Sequence, residues 1–110
     1  MKLPNVEHAA VDERKLRDYL LSSSHPIGRF KAAFFQNLGF SSENWAELAA
    51  QLKKVAQEGD VELSTTTKYG RKYVVFGTIV GKQGESAEVV TIWILLDDDD
   101  KPRLVTVYPR

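Results

Sequence analysis

The residues in this chain best suited to chemistry fall into two stretches far apart in sequence. His25, Arg29 and Lys31 lie together in the first half, in the run His-Pro-Ile-Gly-Arg-Phe-Lys. Thr106 and Tyr108 lie near the end, in Thr-Val-Tyr-Pro. An imidazole, two cations, a hydroxyl and a phenol are the groups needed to cleave RNA by attack of its own 2′-hydroxyl. That reaction requires a base, an acid and positive charge near the phosphate, and no metal. Lys68, Arg71 and Lys72 form a further basic cluster that could hold phosphates. The same residues also fit a plainer role: His25 capping a helix, Arg29 and Lys31 solvating it, Thr106 and Tyr108 filling a sheet surface, and the basic cluster serving solubility.

Other chemistry finds little support. Cys is absent, which removes thiolate and disulfide chemistry, and His8 and His25 are the only histidines. The chain carries no P-loop and no dinucleotide fingerprint. The run Asp97-Asp98-Asp99-Asp100 suggests a metal only superficially. Successive side chains on extended backbone point to opposite sides, and calcium loops use alternate positions and a glycine. A solvated loop is the expectation there, so no metal ligand and no cofactor is assigned.

Local patterning says what must position these groups. Pro26 suits the first position of a helix, and Gly39 suits the left-handed position beyond its end. Between them Ile27, Phe30, Phe34 and Leu38 recur at helical spacing, with Phe35 widening the stripe, so these are expected to face a core. His25 then stands at the helix mouth, where outward N–H groups favour anions. An earlier short helix is predicted from Asp12 to Leu21, with Asp12 as N-cap and Leu16, Tyr19 and Leu20 as its apolar face, Arg14, Lys15, Arg17 and Asp18 lying around it. A third helix is predicted after Ser41, with Phe40 and Trp45 as a hydrophobic staple, Trp45, Leu48, Leu52 and Val55 as its stripe, and Gly59 closing it. Residues 1–10 read as a loop or short edge segment.

The second half is β-prone. Strands are expected over Val61–Thr67, Lys72–Val80, Ser86–Leu96 and Arg103–Tyr108, joined by turns at Lys68-Tyr69-Gly70, at Gly81-Lys82-Gln83-Gly84 and at the aspartate run. Ser86–Leu96 is apolar on both faces around Trp93 and belongs in the centre. Short connections favour an antiparallel meander. The expected architecture is α+β: three N-terminal helices on one face of a four-stranded antiparallel sheet, in a single domain over residues 1–110.

Composition narrows the setting. Of 110 residues, 43% are hydrophobic and 10% aromatic, enough for a core. No apolar run is long enough to cross a bilayer, and the N-terminus lacks the apolar stretch of a signal peptide, so a cytoplasmic protein, or a domain carried inside a larger one, with no membrane association is expected. Fifteen basic residues balance fifteen acidic ones, which argues against broad nucleic-acid affinity and leaves room for a local basic patch.

The segments Leu16-Arg17-Asp18-Tyr19-Leu20-Leu21, His25 to Phe35, Tyr69-Gly70, Thr91-Ile92-Trp93-Ile94 and Pro102 to Pro109 resemble a family of small bacterial domains of uncharacterised function. Those domains occur alone and at the C-termini of polymorphic-toxin-like and phage-associated proteins. The layout is more distantly similar to the RNase toxin fold shared by barnase, EndoU, colicin nucleases and RelE. That resemblance implies an active surface drawn from the helical part and the strands, here His25 and Lys31 with Thr106 and Tyr108. It also implies an RNA substrate and a neutralising protein partner. The competing expectation is a non-catalytic interaction module, either the binding half of a toxin pair or an assembly adaptor.

Overall fold

The computed structural model describes residues 1–20 and 29–110, the side chains of residues 19, 20, 29 and 30 excepted. His25, Pro26 and Ile27 lie outside the described residues. A helical first half is followed by four strands: β1 (Val61–Thr66), β2 (Gly70–Val80), β3 (Ser86–Leu96) and β4 (Arg103–Pro109). They form one antiparallel sheet in the order β1-β2-β3-β4, the meander expected from the short turns, with the Trp93 strand inside it.

Among the described residues, three segments of α-helix precede the sheet: α1 (Glu13–Lys15), α2 (Arg29–Asn37) and α3 (Trp45–Glu58). Here the expectation of three packed helices needs correction. The first is a single turn, capped as expected by the Asp12 carboxylate, which accepts from the Arg14 N–H at 2.8 Å. It runs into a π-type stretch over Leu16–Leu20 rather than continuing as α-helix. α3 is the helix that lies on the sheet, chiefly over β2. It buries Leu48, Ala49, Leu52, Val55 and Ala56, following its 3.6-residue period. At Gly77 the helix and strand approach so closely that a Cβ would come within 2.5 Å of Val55 Cγ1.

On α2 Ala32 and Phe35 are buried, as is Leu38 just beyond its end, while Phe34 is only half-buried at the flank. Phe35 and Leu38 are buried as the stripe predicts and Phe34 packs against the core from its flank, while Ala32 joins the buried line unexpectedly. The rings of Phe34 and Phe35 meet edge to face with centroids 5.0 Å apart. Gly39 ends the segment at φ 91°, the left-handed conformation that glycine adopts without steric cost. The Leu38 carbonyl accepts from Lys82 N–H at 2.8 Å, tying the helix end to the β2–β3 turn.

Leu3, Leu16, Phe35, Phe40, Leu48, Leu52, Val75, Trp93 and Val107 form one core between helices and sheet. Its polar atoms are paired. The buried Trp93 indole donates to Thr91 Oγ1 at 2.9 Å, and that hydroxyl donates to the Val75 carbonyl at 2.8 Å.

The outer strand β4 is not regular. Between the Ile92–Thr106 and Trp93–Leu104 pairs the register slips, leaving Val105 as the extra residue of a bulge. Leu104 and Val107, three positions apart, are consequently both buried. The edge of β4 is partly covered by the N-terminal segment. Ala10 bridges Arg103 in parallel, with Ala10 N–H bonded to the Pro102 carbonyl at 2.9 Å and Leu104 N–H to the Ala10 carbonyl at 3.0 Å.

Candidate functional site

The bulge decides where Thr106 goes. Strict two-residue alternation from the buried Leu104 would send Thr106 and Tyr108 into the core. One inserted residue gives that place to Val107 and turns the two polar side chains away from it. Thr106 then meets α2. Lys31 Nζ donates to Thr106 Oγ1 at 2.7 Å, in a half-buried setting. The pair lies in an open groove of about 620 Å³ lined by Asp12, Arg14, Lys15, Lys31, Val105 and Thr106. A second hollow of about 450 Å³, which shares Asp12, Lys15 and Val105, continues it along β4 past Ala10 and Val11 to Ile94 and Arg103.

The electrostatics of this groove are cationic. Partial burial is the main cause holding the Lys31 ammonium pKa below the ordinary lysine value, and the neighbouring Lys15 charge adds to it. The Asp12 carboxylate is engaged at the start of α1. Chemically, the groove offers an anion a hydroxyl and three positive side chains.

The expected site residues are placed as follows. Lys31 and Thr106 are brought together. Tyr108, 39% exposed, follows two positions along β4, about 7 Å on at strand spacing. The backbone of Arg29 begins α2, and His25 lies outside the described residues. Lys68 and Arg71 are elsewhere. They sit at the β1–β2 hairpin, beside the Gly70–Leu96 end of the sheet, whereas Thr106 pairs with Ile92 two strands away. Strand geometry alone separates the two places by roughly 16 Å. The hairpin is organised by Thr67, whose hydroxyl accepts from Gly70 N–H at 3.1 Å and donates to the Gly70 carbonyl at 2.9 Å. Lys68 lies 5.7 Å from the centroid of the Tyr69 ring and shares a hollow with Asp97 and Asp98, so acidic side chains offset the basic turn. Arg71 reaches Ser64 Oγ at 3.3 Å.

In the aspartate run, Asp99 accepts from Arg103 Nε at 2.7 Å and from Lys101 N–H at 3.1 Å. The Arg103 hydrogen bond, followed by that of the Lys101 backbone, lowers the Asp99 carboxyl pKa. Among the described residues no three acidic or imidazole side chains converge as metal ligands. Arg14 and Lys15, which the sequence places only around the apolar face of the first helix, also line the groove. Their one signal was adjacency directly behind the Asp12 cap.

Fold and groove together define an α+β domain with a cationic cleft between its N-terminal helical part and the bulged edge of its sheet. Residues 2–110 match the family model described as domain of unknown function (DUF6883), and the chain belongs to that family. No curated protein sequence matches it. Among solved structures, its fold is similar to that of a chain in a contact-dependent growth inhibition toxin–immunity protein complex from Klebsiella pneumoniae 342. The TM-score is 0.76 and the identity 21%, over 96% of this chain and 97% of that one. At that identity the likeness is one of fold. Among the described residues no helix is long and apolar enough to cross a membrane.

Proposed function

We propose that the protein is a toxin-like, metal-independent ribonuclease acting in the cytoplasm and restrained by a neutralising protein partner. The observation that supports this reading best is the 2.7 Å contact between Lys31 and Thr106 inside a cationic groove. A phosphodiester seated there has its negative charge met by Lys31 and by Arg29 from the same helix, with Thr106 holding a phosphate oxygen. The proton on the ribose 2′-oxygen is removed, the 2′-oxygen–phosphorus bond forms, and the phosphorus–5′-oxygen bond breaks. A proton then passes to the leaving 5′-oxygen, giving a 2′,3′-cyclic phosphate and a free 5′-hydroxyl. His25 and the Tyr108 phenol are the proton-transfer groups in this scheme. Lys68 and Arg71 serve a more distant stretch of the RNA. The fold shared with a member of a toxin–immunity complex supports the toxin-system setting. Expression in a bacterium lacking the partner is the test. Growth arrest with RNA breakdown is expected, relieved by His25→Ala and by Lys31→Met; normal growth with intact RNA at high wild-type expression contradicts the reading.

A second reading, an interaction module that neutralises a toxin, is favoured by β1. This edge strand carries no charged side chain from Leu63 to Thr66, and Leu63 is 61% exposed. Edges of that kind invite pairing with another chain. Protection of cells from a cognate toxin, lost in Leu63→Lys and kept in His25→Ala, would establish it.

A further inference from the structure

The groove holds more positive charge than one phosphate requires. We propose that Arg14 and Lys15 form a second phosphate subsite beside the Lys31–Thr106 pair, so that the groove holds two successive phosphates of an RNA strand. The inference rests on the ribonuclease reading for its ligand, and it adds binding residues that reading does not use.

Three observations carry it. First, Arg14 and Lys15 line the same groove as Lys31 and Thr106. Their backbone is fixed on both sides: the Asp12 carboxylate holds the Arg14 N–H, and the next residue, Leu16, is fully buried. Second, the cations flanking them are neutralised and they are not. Arg17 pairs with Glu13, and Arg103 pairs with Asp99. Neither Arg14 nor Lys15 has an ion pair among the described residues. Third, the Lys15 and Lys31 charges are near enough to oppose each other. Like charges held together in a partly desolvated place are unfavourable until an anion lies between them. Asp12, the acidic side chain lining the groove, offsets part of this charge and leaves the lining net positive.

The subsite is tested by binding, separately from cleavage. The probe is a fluorescein-labelled 2′-O-methyl RNA octamer, which lacks the attacking hydroxyl and stays intact. Its affinity should fall roughly tenfold at about 50 mM salt in the double variant Arg14→Gln/Lys15→Gln, and the slope of log affinity against log salt should flatten by about 1.4, as for two lost single-strand phosphate contacts. Arg14→Lys/Lys15→Arg, which keeps both charges, should bind like wild type. The control Lys53→Gln/Lys54→Gln, on α3, should also leave binding unchanged. Unaltered affinity in the first variant, or an equal loss in the α3 control, overturns the subsite. The two readings separate cleanly: cleavage of unmodified RNA with unaltered binding in the double variant sinks the subsite and keeps the ribonuclease, and the reverse pattern keeps the subsite and sinks the ribonuclease. If the double variant does not fold by circular dichroism, each single substitution is measured instead, with about a threefold loss expected and no loss counting against the subsite.

Discussion

Lys31 and Thr106, 75 residues apart in sequence, are joined by a 2.7 Å hydrogen bond from the α2 ammonium to the β4 hydroxyl. The bond links the helical half of the chain to the far edge strand of the sheet. It also places a positive charge beside a strand whose regular alternation has been broken by Val105.

Replacing Thr106 with valine removes the acceptor and keeps the shape. A half-buried hydrogen bond to a charged group contributes on the order of 1 kcal/mol, so Thr106→Val should lower stability by about that much in urea denaturation. On the ribonuclease reading, RNA cleavage should fall by roughly tenfold or more. A loss of stability with undiminished cleavage would make Thr106 a packing residue only.

Removing the charge of Lys15 should move Lys31. Its pKa is lowered first by desolvation and second by Lys15. Lys15→Gln is therefore expected to raise the Lys31 titration partway toward the ordinary lysine value, followed by the 13Cε shift of Lys31. The sign for stability follows. A lysine whose folded pKa lies below its unfolded pKa binds its proton more weakly when folded, so it opposes folding below the folded pKa and the opposition fades as pH rises toward the unfolded value. The variant should accordingly lose part of that alkaline gain in stability. No movement of Lys31 would mean the two charges do not interact.

The core makes a sharper demand at Thr91. Its hydroxyl takes the Trp93 indole N–H and passes its own hydrogen to the Val75 carbonyl, all away from solvent. Thr91→Val strands both partners. A stranded buried polar group costs about 1–3 kcal/mol, and a loss near the upper end is expected by chemical denaturation. A neutral substitution would show that the indole finds another acceptor.

How far the sequence could be read depended on how local each determinant is. The strands were legible because β2 and β3 are long runs rich in β-branched and aromatic residues joined at an unmistakable turn, where Gly84 adopts φ 89°. The capping of α1 by Asp12 and the left-handed Gly39 were legible for the same reason, since each depends on one residue and its neighbours. The early end of α1 was not. Whether Leu16–Leu20 winds as α or π depends on how the buried Leu16 seats in the core, which is a tertiary matter. The burial of Ala32 beside the expected Phe35 is likewise chosen by the surface α2 packs on.

The groove was legible only in part. Period two placed Thr106 and Tyr108 on one face, and the bulge at Val105 decides which face that is. Nothing in Leu104-Val105-Thr106 announces an inserted residue, because all three are good strand formers. For Arg14 and Lys15 the local pattern shows only that they lie around the apolar face of the first helix. Their significance comes from the N-terminal segment running along the β4 edge through Ala10, a long-range pairing no local pattern encodes.

The ribonuclease reading is tested most directly with the purified chain and a labelled single-stranded RNA in excess chelator. Wild type should release fragments ending in a 2′,3′-cyclic phosphate, and Lys31→Met, which keeps the length of the side chain and discards its charge, should slow this by at least about a hundredfold. RNA left intact by the wild type, or cut equally well by Lys31→Met, would contradict the assignment of the groove as a catalytic site.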